Sequence, residues 1–176
     1  MSFSNITNSI KTRDISNDEF YTPNSLAKKL IQEVPISKGS SILDPFYGLG
    51  AFFNNYPQNE LNSWYELNLG SDFFKKNDTF DWIISNPPFS NLTKTIEHTL
   101  KVVKLGFAYI IPTYSLTANR LDLINKMGFY LSKMIIFENP KSWGIGFQMC
   151  FVIFTKQKND SMKLLKEDNT IQARLI

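Results

Sequence analysis

FDWIISNPPFS, residues 80–90, joins a six-residue run that reads as a buried strand, FDWIIS, to an exit made of an asparagine, two prolines and a phenylalanine. Proline has no N–H to give to a sheet ladder, so two in succession end the strand and hold the chain extended beyond it. A plain strand end accounts for the prolines but not for the amide before them or the ring after them. Working outward, strand-like and helix-like segments alternate. SLAKKLIQEV (25–34) sets its apolar residues on one helical face and is closed by Pro35 and Gly39. SSILD (40–44) reads as a short strand, DPFYGLG as a turn carrying glycines, AFFNNY as a short helical segment and NSWYELN (62–68) as a second strand. A short third segment precedes Asp72, and FDWIISN (80–86) is the fourth strand. TKTIEHTLKVVK then reads as an amphipathic helix, FAYIIPT (107–113) as a strand and LTANRLDLINKMG as a helix ending at Gly128. Two longer β-rich stretches, FYLSKMIIFEN (129–139) and FQMCFVIFTKQ (147–157), are joined by PKSWGIG. Strands alternating with helices predict an α/β sandwich with a mainly parallel sheet covered on both faces, and the last two strands predict an antiparallel edge pair.

Composition narrows the chemistry. The 176 residues, 43% hydrophobic and 14% aromatic, fill one core comfortably and not two. With 15 phenylalanines, 7 tyrosines and 3 tryptophans the chain reads as globular. Nineteen basic against 16 acidic residues give a formal +3, compatible with a polyanionic partner without requiring one. The single cysteine, Cys150, lies in the apolar run FQMCFVIF, so no disulfide framework or thiolate metal site can be built. The single histidine, His98, argues against a His-based zinc site and a Ser-His-Asp triad, and no metal is expected. MSFSNITNSIKTRD lacks an apolar h-region, and no segment approaches the ~18 apolar residues that span a bilayer, so the expectation is a soluble intracellular protein with no membrane contact. The expected division is an N-terminal arm (1–17), one catalytic domain (18–157) and a charged tail (158–176).

In sheets of this kind ligands bind outside the carboxyl ends of the strands, where strand order reverses. Asp44, Glu66, Asp72 and Asn86 all stand at or just beyond such ends. Gly48 and Gly50 let the DPFYGLG turn tighten and approach a ligand closely. Glu66, about 20 positions after the first strand end, suits a carboxylate that accepts from both hydroxyls of a ribose, or else is a solvated charge. Asp72 in SDFF reads either as an acceptor for the amine of an adenine, with Phe73 or Phe74 on the ring face, or as a helix cap over core phenylalanines. The turn lacks the third glycine of G-x-G-x-x-G, and no Gly-Lys-Ser/Thr follows, so it fits neither a dinucleotide pyrophosphate nor a Walker A site.

Taken in order, DEFYTP (18–23), LDPFYGLG (43–50), the acid at 66 and SNPPF (85–89) resemble the S-adenosylmethionine-dependent amino-group methyltransferases, most closely the DNA adenine-N6 methyltransferases, over roughly residues 18–155. The resemblance implies a Rossmann-like class I methyltransferase sandwich, a mainly parallel seven-stranded sheet with an antiparallel last strand. It also implies S-adenosylmethionine as cofactor. Tyr21, Thr22 and Pro23 would hold its methionine end beside a loop formed by Asp44, Phe46, Gly48 and Gly50; Glu66 would take the ribose hydroxyls, and Asp72 and Phe73 the adenine. Asn86, Pro87, Pro88 and Phe89 would form the catalytic loop. The NPPF motif is shared with enzymes that methylate guanine N2 in RNA and glutamine side-chain amides; the FYTP segment ahead of it tilts the resemblance to DNA adenine. Many DNA adenine enzymes carry Asp where Asn86 stands. Larger relatives also add a target-recognition domain after the last strand, where about twenty residues remain here. Sequence preference is then expected to be weak, or to come from the ENPKSWGIGFQ loop, with Lys141 for phosphate and Trp143 for stacking, or from a protein partner or self-association; the same loop also reads as a plain hairpin with a partly buried Trp143.

The adenine amino nitrogen is a poor nucleophile because its lone pair is delocalised into the ring. The Asn86 side-chain oxygen and the Pro87 carbonyl would each accept one N–H, favouring the geometry in which that pair points at the incoming methyl. Phe89 would stack on a base that has left the duplex, where stacking of about 1–3 kcal/mol offsets an unstacking cost of a few kcal/mol. Methylation at cytosine C5 would need a cysteine in this loop, and Cys150 lies elsewhere. The expectation is a DNA adenine-N6 methyltransferase. An RNA adenine-N6 or guanine-N2 methyltransferase and a catalytically silent partner subunit are the alternatives.

Overall fold

The computed structural model describes residues 20–158. The expected N-terminal arm, and the tail beyond Lys158, fall outside the described residues. Three helices and six strands follow in the order α1 (Asn24–Ile31), β1 (Ile42–Asp44), β2 (Ser63–Trp64), β3 (Phe80–Ser85), α2 (Leu92–Val102), β4 (Val103–Pro112), α3 (Ala118–Lys126), β5 (Tyr130–Ile136) and β6 (Met149–Thr155). In α2, Leu92, Thr95, Ile96, Thr99, Leu100 and Val102 are buried, a spacing of three and four residues that turns one stripe to the sheet. Thr117 starts α3, its Oγ1 accepting from the Arg120 N–H.

All strands join one sheet in the order β2-β1-β3-β4-β6-β5. Every neighbouring pair is parallel except those made by β6, which runs antiparallel to both β4 and β5. Strand order reverses beside β1, since β2 lies on one side of it and β3 on the other. Alternation along the central strands separates two cores. Ile83, Phe107, Tyr109 and Ile111 face α2 and α3, whereas Trp82, Ile84, Ala108 and Ile110 face α1 and Trp143.

One expectation is corrected. The described residues hold six strands, not seven, because the segment before Asp72 is no strand. Only five residues separate Glu66 from Asp72, and Leu67–Leu69 forms a single 3₁₀ turn whose backbone Glu66 caps. A parallel strand needs a crossover of a dozen residues or more, which this stretch cannot supply. The last two strands form the antiparallel pair expected at the edge of the sheet, β5 outermost and β6 between it and β4. Cys150 is buried in β6. Among the described residues, no cluster of His, Cys, Asp and Glu could hold a metal, and no helix is long and apolar enough to cross a membrane.

Candidate active site

Asp44 ends β1 and is 1% exposed. Its Oδ1 accepts from Ser85 Oγ at 2.6 Å and from the Phe46 N–H at 3.3 Å, so one carboxylate bolts the tip of β1 to the tip of β3. Burial pushes its pKa up to about 7, and the charge of Glu66 adds to the rise; the Ser85 hydroxyl and the Phe46 and Phe53 backbone N–H groups oppose it. Asp44 lies beneath the site and does not face it.

Above this bolt opens a cleft of about 680 Å³, lined by residues 20–22, the 45–49 loop, the turns between 66 and 74, and the β3 exit with the start of α2. Gly48 is the close-approach point. Its φ of +53° belongs to the left-handed region, and a Cβ there would meet the Tyr21 ring at 3.4 Å. Its N–H donates to Glu66 Oε2 at 2.9 Å, while Glu66 Oε1 accepts from the Asn68 N–H at 3.2 Å. Each carboxylate oxygen therefore uses one lone pair on the backbone and keeps another for a ligand. Asp72 Oδ1 accepts from the Phe74 N–H at 3.0 Å, capping the turn at 73–75, and its Oδ2 stands 3.8 Å from Lys75 Nζ. Phe73 is buried edge-on against Phe46 and His98. Phe74, nearer the rim, carries Lys94 Nζ 4.2 Å from its ring centroid.

At the β3 exit, Asn86 Nδ2 donates to the Phe20 carbonyl at 2.7 Å. A carbonyl can only accept, so the amide is fixed with its NH₂ toward Phe20 and its oxygen toward the remaining space. That Oδ1 is shielded from water and has no partner among the described residues, as is also true of Thr22 Oγ1. An acceptor left so costs about 1–3 kcal/mol, which a ligand N–H would relieve. Phe89 stacks on Phe20 with centroids 5.7 Å apart and planes at 16°.

The structure thus gathers Tyr21, Thr22, Phe46, Gly48, Glu66, Asp72, Phe73, Asn86 and Pro88 around one cleft. Pro87 is buried in the exit, Gly50 is buried behind the loop, and Pro23 accepts the first N–H groups of α1. Lys141 is exposed away from the lining. Trp143, read from the sequence as either a stacking surface or a partly buried hairpin residue, is 2% exposed, against the stacking reading; its Nε1 donates to the Tyr21 carbonyl at 2.8 Å and its ring packs against Phe20 and Phe137. The 140–146 loop buries its largest apolar ring, and that burial anchors the 20–22 strap across the cleft. Sequence reasoning gave no role to Phe20, Ser85 or Lys94. Ser85 stands in SNPPF itself, but its pairing with Asp44 is visible only once β1 and β3 are known to be neighbours.

No family model matches the chain, and no curated protein sequence matches it. Solved structures do. A Pyrococcus horikoshii protein assigned as an RNA methyltransferase matches at 12% identity over 87% of this chain and 97% of that one, with a TM-score of 0.63. A Listeria monocytogenes protein assigned as a class I S-adenosylmethionine-dependent methyltransferase matches at 17% identity over 93% of this chain and 72% of that one, with a TM-score of 0.63. The M protein of the type I restriction enzyme EcoKI matches at 12% identity over 87% of this chain and 47% of that one, with a TM-score of 0.59. At these identities the likeness is one of architecture, and it agrees with the strand order and the β6 reversal described above: the chain has the Rossmann-like fold of the class I S-adenosylmethionine-dependent methyltransferases.

Proposed function

We propose that the chain transfers a methyl group from S-adenosylmethionine to the N6 amino group of adenine in DNA. The observation that carries this reading is the Asn86 amide, held by the Phe20 carbonyl so that its buried oxygen is an unsatisfied acceptor, on a residue that lines the same cleft as Gly48 and Glu66. The residues present suit the cofactor. Glu66 retains lone pairs for two ribose hydroxyls, Thr22 Oγ1 lacks a partner, and the cleft falls within the usual size range of ligand sites, about 300–1,000 Å³. Tyr21 and Thr22 with the 45–49 loop would hold the methionine end, and Asp72 Oδ2, with Phe73 beneath it, the adenine end. When bound, S-adenosylmethionine supplies a methyl group on a positively charged sulfur.

Asn86 Oδ1 accepts one N–H of the acceptor amine and the Pro87 carbonyl the other, which leaves the nitrogen lone pair directed into the cleft. The bond from Nδ2 to Phe20 keeps the amide from rotating its NH₂ into that position, and the two prolines keep both acceptors in place before the reaction begins. A neutral amide does this without removing a proton early; the proton leaves to solvent once the nitrogen has gained the methyl and a positive charge. Lys141 on the exposed loop adds a phosphate contact, and a protein partner or a second copy supplies sequence recognition. A second reading, methylation of adenine or guanine amines in RNA, has one point in its favour: the likeness spans 97% of a protein assigned as an RNA methyltransferase against 47% of the EcoKI M protein.

Labelled methyl transfer from S-adenosylmethionine to duplex DNA, single-stranded DNA, RNA and protein in parallel, followed by nucleoside analysis, tests the proposal. N6-methyladenine in DNA is the expected product. Label found in RNA alone, in protein alone, or nowhere would overturn it. Asn86→Ala should lower turnover by about 10²–10³-fold, the loss typical of one transition-state hydrogen bond, with cofactor affinity kept. Near-wild-type turnover would remove Asn86 from the mechanism.

A further inference from the structure

We infer that Phe20 is the second wall of a slot for a flat acceptor ring, Phe89 being the first, so that the site takes a planar nucleobase rather than a side-chain amide. The inference rests on the amino-group methyltransferase reading and narrows its substrate class. Phe20 and Phe89 come from segments 66 positions and more apart, yet their rings lie within 16° of parallel with centroids 5.7 Å apart. A base sandwiched between two rings needs each face about 3.5 Å away, hence a separation of about 7 Å. The 5.7 Å between centroids includes a sideways offset, so rings stacked in contact must part by about another 3.5 Å to admit a base.

The constraints on Phe20 explain why it would open and not leave. Its carbonyl is the partner of Asn86 Nδ2. The next residue is tied through its own carbonyl to the buried Trp143 indole, and the Tyr21 ring rests over Gly48. Its backbone is thus tethered to the very residue that would bind the amine, leaving the ring free to move by side-chain rotation alone. In the closed state Asn86 Oδ1 is both covered and unpartnered. A ring bearing an exocyclic amine satisfies both features at once, filling the space between two π-faces and bringing an N–H to the oxygen. A glutamine side-chain amide offers the N–H but has no ring to part the pair.

The test uses a pool of single-stranded oligodeoxynucleotides carrying a central 2-aminopurine in randomised flanks, titrated with the full chain in the presence of S-adenosylhomocysteine. Stacking between two rings should quench the probe. Phe20→Leu keeps apolar bulk against Trp143 and Phe89 without a π-face, and it should lose most of the quench and weaken binding about tenfold, while Phe20→Tyr restores both. Circular dichroism and cofactor binding check that each variant folds; should Phe20→Leu fail, Phe20→Met is read in the same way. No quench by the wild type, equal quench by Phe20→Leu, or tighter binding by Phe20→Leu would each overturn the slot, the last by making Phe20 a mere placeholder. Quench without methyl transfer to any acceptor would refute the proposed activity and leave the slot standing; transfer to DNA adenine without quench would do the reverse.

Discussion

Asp44 does its work out of sight of the cleft. Burial holds its carboxyl protonated up to about pH 7, against 3.8 in the unfolded chain. Between those two values the unfolded chain has released a proton that the native state still holds, so raising the pH favours unfolding; below about 4 the effect is absent, and above about 7 the loss is complete. Wild-type stability should therefore fall by a few kcal/mol from about pH 4 to 7, and Asp44→Asn should lose less over the same range, as read by urea unfolding at a series of pH values. Parallel profiles for the two proteins would mean that Asp44 ionises normally in the fold. The sequence reading found Asp44 because it ends an apolar strand before a proline and glycines, all of which is local. It did not find that the carboxylate points inward at Ser85, since the 41 positions between them carry no sign that their strands touch. For Trp143 the sequence leaves two readings open, a stacking surface or a partly buried indole in a hairpin, and the bond from its Nε1 to the Tyr21 carbonyl decides for burial.

Among the elements, those legible in the sequence are those whose signal is contained within themselves. β3 and β4 carry short apolar runs at residues 82–84 and 107–112, and α2 carries its stripe at helical spacing. β2 shrinks to two residues and the expected third strand is missing because an edge strand exists only through its partner and the connection that reaches it. Where the strands do meet, clearance is small. Gly106 in β4 faces both neighbours: a Cβ there would come within 2.5 Å of the Phe154 carbonyl oxygen in β6 and within 2.5 Å of the Trp82 ring in β3. Backbone and a packed indole cannot retreat cheaply, so Gly106→Ala should cost about 1–3 kcal/mol and lower the thermal midpoint by several degrees in calorimetry. An unchanged midpoint would show that the centre of the sheet yields more readily than its spacing implies.

Over the whole molecule, everything converges on β6. It pairs with β4 on one side and β5 on the other, and Met149 to Phe154 are each at most 1% exposed. A chain cut after Gly146 keeps every residue that lines the cleft but loses the strand that joins the sheet's two parts. Such a chain should lack near-ultraviolet circular dichroism and bind no cofactor; a cooperative unfolding transition in it would contradict the topology. The order of manufacture adds a hazard. β4 ends at Pro112 and its neighbour begins only at Met149, so a nascent polypeptide on the ribosome exposes the open flank of β4 while α3, β5 and the 140–146 loop are still being synthesised. Until the late-arriving strand fills that gap, another partly made copy can bind there, and a chaperone that shields unpaired strands would be expected to raise the yield of soluble protein.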